Sequence, residues 1–175
     1  MELRAPIKDY RLGPEDVLEV TVWKNEALSK VVTVRPDGMI SLPLIGDVKA
    51  SGLTADELSR KIAERLKEYK DSPQVSVAVK EVNSYYVYIV GEVNKPGKIP
   101  LKSHTTVLQA IALAGGFTQY ASKSNMALVR MTQNGDGSVR EIRVPLKYDD
   151  LLSGKGEAGN PVLKTGDTIV VPIGW

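Results

Sequence analysis

Residues 40–48 read ISLPLIGDV and residues 87–97 read VYIVGEVNKPG, and these two stretches indicate the fold of the chain. Both are rich in β-branched and aliphatic residues, as strands are, and both contain a Gly-acid-Val triplet. A helix opened by threonine follows each stretch, from Thr54 in the first case and near Thr105 in the second. The sequence therefore predicts two β-rich modules in tandem, with no catalytic constellation on either.

The first module is predicted to be a small α+β unit. Residues 10–16 read YRLGPED and lead into residues 17–23, an alternating, β-branched stretch that is typical of a strand. Residues 35–38 read RPDG between two apolar runs, and Pro-Asp-Gly in that position indicates a hairpin turn. A strand over residues 74–79 is predicted to complete the module.

One amphipathic helix is predicted in this module, over residues 54–69. Thr54 and Glu57 have the spacing of a capping box, in which each side chain satisfies a backbone N–H of the other residue. The apolar positions recur at near-helical spacing on one face, at Leu58, Ile62, Leu66 and Tyr69. The remaining surface is typical of a solvated face, although in an oligomer it could contact a neighbouring subunit through Arg60, Lys61, Glu64, Arg65, Lys67 and Glu68.

The second module is predicted to be a β-grasp, or ubiquitin-like, domain. Its predicted order is strand, strand, helix, strand, strand, strand, with the strands at residues 85–93, 99–101, 128–132, 139–144 and 168–172. The helix over residues 107–114 is apolar nearly all round, which predicts burial, and Gly115 and Gly116 are predicted to form its C-cap. The linker at Asn83-Ser84 predicts a first domain over residues 1–82 and a β-grasp domain over residues 83–175.

The composition is that of an ordinary globular protein, and it excludes several kinds of site. Basic residues are scattered among acidic ones, with a formal net charge of +2 and no basic-aromatic stripe, so no nucleic-acid partner is predicted. The absence of cysteine excludes disulfides and thiolate metal sites. No apolar run approaches the roughly 20 residues that span a bilayer. The N-terminal residues lack the hydrophobic region of a signal peptide, which fits either a cytosolic start or a trimmed chain.

The candidate reactive residues are few, and their local patterns favour structural roles. Asp16, Asp37 and Asp167 lie in glycine-containing turns, where a carboxylate usually binds its own backbone, although paired carboxylates could also act as a glycosidase acid and base. His104 is the single histidine and lies just before a helix, where capping or exposure is expected. We predict no catalytic residue, no metal site and no cofactor.

Two tyrosines are the candidates for contact with a carbohydrate. Tyr86 and Tyr88 fall on one face of their strand, while Tyr85, Val87 and Ile89 fall on the other. Exposed aromatic side chains could stack on sugars or seal a subunit interface, and packing in a core or interface is the expected role.

Taken in order along the chain, the motifs resemble those of the bacterial polysaccharide export proteins, the Wza-like outer-membrane family. The N-terminal export domain of that family is similar to residues 10–18 (YRLGPEDVL), 34–38 (VRPDG), 42–46 (LPLIG) and 52–54 (GLT). The soluble-ligand-binding β-grasp (SLBB) module that follows it is similar to residues 90–93 (VGEV), 95–97 (KPG), 114–116 (AGG) and 165–167 (TGD). The motif positions, to which we assign structural roles, are Tyr10, Gly13, Asp16, Asp37, Gly38, Gly46, Gly91, Gly97, Gly115, Gly116, Gly166 and Asp167.

The resemblance implies a non-enzymatic, ring-forming protein in the periplasm, associated with the outer membrane, through which capsular polysaccharide or exopolysaccharide leaves the cell. It also implies a partner, an inner-membrane polysaccharide co-polymerase that is often linked to a tyrosine kinase. The mechanism would be passive: subunits close into a ring by cyclic symmetry and the polymer passes through.

The sequence departs from the family pattern at several points. The lipoprotein signal and acylated cysteine are missing, we identify one SLBB module where the best-known members have more, and there is no C-terminal amphipathic helix to form a pore. We therefore expect contact with the outer membrane only through elements absent from this chain. Position 15 is Glu where the family commonly has Gly, a change that a type I turn accommodates.

The residues themselves allow two other functions. The β-grasp module could capture a soluble small ligand, which a concave pocket and saturable binding would favour. A polysaccharide hydrolase or lyase has less support, and polymer cleavage that is lost on mutation of Asp16 or Asp37 would favour it.

Overall fold

The computed structural model describes residues 9–155 and 159–175. From the sequence we also expect a polar, proline-containing N-terminal arm over residues 1–9 and a loop over residues 149–161. The arm lies outside the described residues except for its last position, and part of the loop lies outside them as well. The chain divides into two compact units, one that ends at Ser84 and one over Tyr85–Trp175. The predicted domain boundary between residues 82 and 83 stays a prediction. Both units mix helix and strand, so the predicted α+β class is confirmed.

The first unit contains a three-stranded antiparallel sheet, a two-stranded hairpin and one helix. The sheet has the order β2-β1-β5, with β1 (Val17–Val22) between β2 (Lys30–Thr33) and β5 (Val75–Glu81). The hairpin pairs β3 (Met39–Leu42) with β4 (Gly46–Lys49). Helix α1 (Ala55–Leu66) packs on β5. The buried core is built from the alternate residues of β1 together with one face of α1: Leu18, Val20, Val22, Leu58, Ile62 and Leu66.

The stretch over residues 40–48 is not the single strand segment that the sequence predicts. It folds back on itself at residues 43–45, so that Leu42 pairs with Gly46. Leu44 lies at a φ of 66°, and the Ile45 N–H donates to the carbonyl oxygen of Pro43 over 2.8 Å, which is the pattern of a γ-turn. The Gly-acid-Val triplet therefore opens a strand in the first unit, whereas Gly91 ends one in the second. The two triplets are not structurally equivalent.

Helix α1 begins where the sequence predicts and ends earlier. The Thr54 side chain accepts from the Glu57 N–H, and the Glu57 side chain accepts from the Thr54 N–H, so the capping box is confirmed. The helix ends at Leu66 instead of residue 69. Tyr69 lies beyond it and is 57% exposed, so its predicted place on the apolar face was wrong.

The second unit is a β-grasp domain, as predicted. Its five-stranded sheet has the order β7-β6-β10-β8-β9, and β10 runs parallel to β6 while the other neighbours are antiparallel. The strands are β6 (Tyr86–Gly91), β7 (Gly97–Pro100), β8 (Met126–Gln133), β9 (Val139–Leu146) and β10 (Thr168–Val171). The helices are α2 (Val107–Leu113) and α3 (Tyr148–Ser153).

Helix α2 buries one face instead of its whole circumference. Val107, Ala110 and Ile111 are buried, whereas Leu113 is 56% exposed. Thr106 caps its N-terminus in a second capping box, closed by Gln109. A run of apolar residues predicts burial on average, but a seven-residue helix against one sheet can present only one side to it.

Candidate functional site

The carboxylate of Asp16 is fully buried and is the centre of a hydrogen-bond cluster in the first unit. Its Oδ1 accepts the backbone N–H groups of Asn83 and Ser84, both at 2.8 Å. Its Oδ2 accepts the Tyr10 hydroxyl at 2.7 Å, the Ser84 hydroxyl at 2.8 Å and the Gly13 N–H at 3.0 Å. The aspartate therefore ties the start of the unit to its last two residues.

Burial and this cluster perturb Tyr10. Burial raises the pKa of the phenol well above its ordinary value, and the nearby Asp16 carboxylate raises it further. The phenol therefore stays protonated and keeps donating to Asp16 throughout the physiological range. Gly13 lies so close that an added Cβ would come within 2.7 Å of the Ser84 side chain. The predicted structural roles of Tyr10, Gly13 and Asp16 have these contacts as their physical basis.

Asp167 forms a similar buried cluster in the second unit. The Arg130 guanidinium donates to both carboxylate oxygens, from Nε at 2.8 Å and from Nη2 at 2.6 Å. The Lys164 N–H donates to Oδ2 at 2.8 Å. The hydrogen bonds to Asp167 raise the pKa of Arg130 above its ordinary value, and their fork geometry is that of a strong, charge-assisted pair. Nearby, the buried Tyr85 hydroxyl donates to the carbonyl oxygen of Leu163 at 2.8 Å.

The two aspartates close the same four-residue turn. In each turn the N–H of the aspartate donates to the carbonyl oxygen of the first residue, and the aspartate side chain accepts the N–H of that residue. A buried leucine precedes each turn and a strand follows it, β1 after Asp16 and β10 after Asp167.

The structural repeat is therefore this turn, and not the pair of Gly-acid-Val triplets that the sequence first indicates. Comparing residues 12–20 (LGPEDVLEV) with residues 163–171 (LKTGDTIVV) would have found it, because the leucine, the aspartate and the alternate apolar residues coincide.

The turn at residues 13–16 does not have the predicted type I geometry. Glu15 lies at a φ of 75°, and Gly166 occupies the same position of the second turn at a φ of 82°. A positive φ at the third residue belongs to a type II turn, where glycine is the usual residue. Glu15 therefore carries a backbone conformation that a side chain disfavours.

Asp37 belongs to a separate, exposed charge cluster. The Arg35 guanidinium donates to both Asp37 and Asp47, and the Asp47 carboxylate also accepts the Ser41 hydroxyl at 2.7 Å. The hydrogen bond from Arg35 lowers the pKa of Asp37, and the Met39 N–H lowers it further. Asp16 and Asp37 share no hydrogen-bond partner among the described residues, so the structure does not join them into a carboxylate pair.

The motif glycines lie where the backbone turns. Gly91 ends β6 at a φ of 99°, and a Cβ there would come within 1.9 Å of the Val171 carbonyl oxygen. Gly38 closes the turn after Arg35, and a Cβ there would meet the Ser51 side chain at 2.6 Å. Apart from Gly13, the remaining motif glycines also have positive φ values. They are Gly46, Gly97, Gly115, Gly116 and Gly166.

Other residues that the sequence singled out lie apart from these clusters. His104 is exposed and lies edge-on to the Tyr85 ring, with the centroids 6.4 Å apart. On α1, Arg60 pairs with Asp56 and Lys67 pairs with Glu64. Arg65 donates to the carbonyl oxygens of Ile45 and Asp47, so it secures the β3–β4 hairpin instead of facing solvent freely.

The candidate carbohydrate residues form an aromatic dyad on one face of β6. The Tyr86 and Tyr88 rings meet edge to face, with centroids 5.6 Å apart and planes at 76°. The Lys98 ammonium lies 4.3 Å from the Tyr86 centroid, a cation–π distance. Tyr88 is 40% exposed, while Val87 and Ile89 are fully buried on the opposite face. The predicted division of this strand into two faces is therefore confirmed; the carbohydrate role stays a prediction.

Among the residues that the structure describes, no three His, Cys, Asp or Glu side chains gather as a metal-binding group. Helices with the length and apolar character to cross a bilayer are likewise not found in residues 9–155 and 159–175.

Comparison with known proteins assigns the two units. The profile described as "Polysaccharide biosynthesis/export protein" matches residues 4–80, and the SLBB domain profile matches residues 86–143. The chain belongs to the polysaccharide biosynthesis/export protein family. Within this export family, the buried-aspartate turn at residues 13–16 lies in the export domain, while that at residues 164–167 follows the matched part of the SLBB domain.

Similar proteins in this family carry names from polysaccharide export. The chain is 33% identical to the exopolysaccharide production protein ExoF of Rhizobium meliloti, over 78% of this chain and 35% of ExoF. It is 28% identical to the polysialic acid transport protein KpsD of Escherichia coli, over 93% of this chain and 28% of KpsD. It is 25% identical to the EPS I polysaccharide export outer membrane protein EpsA of Ralstonia nicotianae, over 97% of this chain and 49% of EpsA. The chain thus spans less than half the length of these relatives.

Proposed function

We propose that the chain is the periplasmic part of a bacterial capsule or exopolysaccharide export conduit. The observation that carries this proposal is the ordered pair of domains: an export-domain match over residues 4–80 followed by an SLBB match over residues 86–143. The names of the relatives, which refer to exopolysaccharide production, polysialic acid transport and polysaccharide export, support the same function.

The proposed role is passive translocation without catalysis. The carboxylates that a hydrolase would use are already engaged in ways that suit structure. Asp16 accepts five hydrogen bonds from described residues, Asp167 is held by Arg130, and the lowered pKa of Asp37 makes it a poor proton donor at neutral pH. Each arrangement fits a scaffold around which a polymer moves.

The proposed partners follow from the family resemblance. Subunits close into a homo-oligomeric ring, the polysaccharide passes through it, and an inner-membrane co-polymerase with its tyrosine kinase delivers the polymer. The assembly is associated with the outer membrane. The name of EpsA, an outer membrane export protein, supports this placement.

The test is deletion of the gene, with measurement of exported and periplasmic polysaccharide. We expect export to stop, polymer or precursor to accumulate inside the cell, and the intact gene to restore export. Unchanged export in a strain shown to hold no second copy would contradict the proposal, and saturable binding of a small soluble ligand would then favour the alternative of a ligand-binding β-grasp module. Cleavage of the polymer by purified protein would contradict the passive mechanism.

A further inference from the structure

The strand register of the second unit places one row of side chains across the face of the sheet that carries the tyrosine dyad. Tyr88 pairs with Lys98 on β7 and with Thr168 on β10, Thr168 pairs with Val129 on β8, and Val129 pairs with Arg143 on β9. Directly paired residues point to the same side of a sheet, so these five side chains share a face. The row crosses four strand spacings, or about 19 Å.

This row has a cation at each end and uncharged side chains between them. Lys98 is exposed, lies over the Tyr86 ring, and has no carboxylate partner among the described residues. Arg143 at the other end is 61% exposed and is paired with Glu141 at 3.7 Å. An exposed ion pair at that distance contributes little to stability. Arg143 can therefore release Glu141 and bind another anion.

The chemistry of the row matches an acidic polysaccharide better than another protein surface. The faces of aromatic rings are negative and attract the C–H groups of a sugar ring, while a carboxylate on the polymer pairs with an ammonium or guanidinium. At protein–protein interfaces lysine is depleted, whereas tyrosine and arginine are enriched, so the lysine is the residue that argues against a protein partner. In the second unit basic residues outnumber acidic ones, whereas in the first unit the reverse holds, so the net charge also favours an anionic ligand here.

We propose that this row, together with Tyr86, is a contact track for an extended polysaccharide that carries carboxylates. The inference rests on the proposed function and adds the chemical class of the polymer and the residues that contact it. Tyr88 stacks on a sugar ring, Tyr86 holds the Lys98 ammonium over its own ring, and Lys98 and Arg143 bind carboxylates along the chain. The contacts are few and exposed, so binding is weak, as a polymer in transit requires.

The test is a titration of the 175-residue chain with oligogalacturonate, an acidic linear probe, and with maltoheptaose, a neutral one, followed by NMR. We expect saturable, weak binding of oligogalacturonate that decreases with added salt, and at least about tenfold weaker binding of maltoheptaose. Tyr88→Ala and Lys98→Ala should each weaken oligogalacturonate binding by about fivefold or more. Lys98→Ala lies at an exposed position and should leave the fold intact, which its amide spectrum would verify.

Matched controls lie elsewhere on the chain. Tyr120→Ala removes a tyrosine that is 59% exposed in the loop between α2 and β8, and Lys61→Ala removes an exposed lysine on α1; both should bind oligogalacturonate normally. Equal losses in the controls, unchanged affinity of Lys98→Ala, or equal binding of the neutral probe would overturn the inference. So would self-association that Tyr88→Ala abolishes, because the face would then be an interface between copies.

The gene deletion separates this inference from the proposed function. If deletion stops export and oligogalacturonate does not bind, the function stands and the track is wrong. If deletion leaves export unchanged, the proposed function fails whatever the titration gives.

Discussion

Glu15 occupies a backbone position that normally requires glycine. Its φ of 75° matches that of Gly166 in the equivalent turn of the second unit. A non-glycine residue at such a φ costs on the order of 1 kcal/mol or more, and the extra freedom of glycine in the unfolded chain offsets part of any gain from replacing it. The turn therefore keeps its shape through the contacts of Asp16, against the preference of its third residue.

We predict that Glu15→Gly stabilises the chain. The free energy of unfolding of the first unit should rise by about 0.5–1 kcal/mol, because glycine removes the strain at positive φ. Urea denaturation measures the change. Glu15→Ala is the matched control: it removes the same carboxylate and keeps the strain, so its stability should stay within about 0.5 kcal/mol of the parent. A gain of equal size in both variants would mean that the glutamate side chain, and not its φ, is unfavourable.

At the scale of the residue, local sequence patterns indicate the right residues but not their partners. Asp16 was predicted to bind its own turn, and it does so through the Gly13 N–H. Its other donors include Asn83 and Ser84, which lie 67 and 68 positions along the chain. Local patterns carry no information about contacts at such separations, and that is why the cluster could not be predicted.

Gly91 illustrates how one residue controls the pairing of two elements. It ends β6 opposite Val171 of the parallel neighbour β10, and the Glu92 N–H donates to the Val171 carbonyl oxygen at 2.8 Å. A Cβ at Gly91 would come within 1.9 Å of that same oxygen, so the strands would have to separate there.

We predict that Gly91→Ala destabilises the β-grasp unit by more than about 3 kcal/mol, because strain at positive φ adds to a clash with backbone that cannot move aside alone. Gly116→Ala is the control, since Gly116 has a φ of 80° and open space where its Cβ would lie. Gly116→Ala should lower the free energy of unfolding by about 1–2 kcal/mol, which is the effect of the backbone strain alone. Thermal unfolding of both variants makes the comparison, and equal losses would show that the clash with Val171 does not matter.

Most elements were predictable because their sequence signals are local. The β3–β4 hairpin was not predictable, since its sequence signal is unusual. The capping box at Thr54 and the strand-strand-helix-strand-strand-strand order of the second unit follow from spacing and periodicity. The turn at residues 43–45, however, places Leu44 at a φ of 66°, and the residues that mark the turn, Pro43 and Gly46, lie on either side of that position. Leucine rarely adopts that conformation, so the sequence favours one continuous strand where the structure has two.

At the scale of the whole molecule, the limits of the first domain can be tested directly. We predict that a fragment over residues 1–82 is less stable than one over residues 1–84 by at least about 2 kcal/mol, because the shorter fragment removes two backbone donors from a buried carboxylate. Urea denaturation of the two fragments gives the difference. A fragment over residues 1–86 should match 1–84, and equal stability of all three would contradict the anchoring role of Asn83 and Ser84.

The topology also sets an order of events during synthesis on the ribosome. Asp16 cannot receive its Oδ1 donors until the chain has been made past residue 84, so the first unit is complete only when the start of the second is about to emerge. Strand β10 lies between β6 and β8, and the second sheet therefore stays open until residues 168–171 have been translated. Until then the nascent chain exposes the edges of β6 and β8, and a chaperone that shields strand edges would act during that interval.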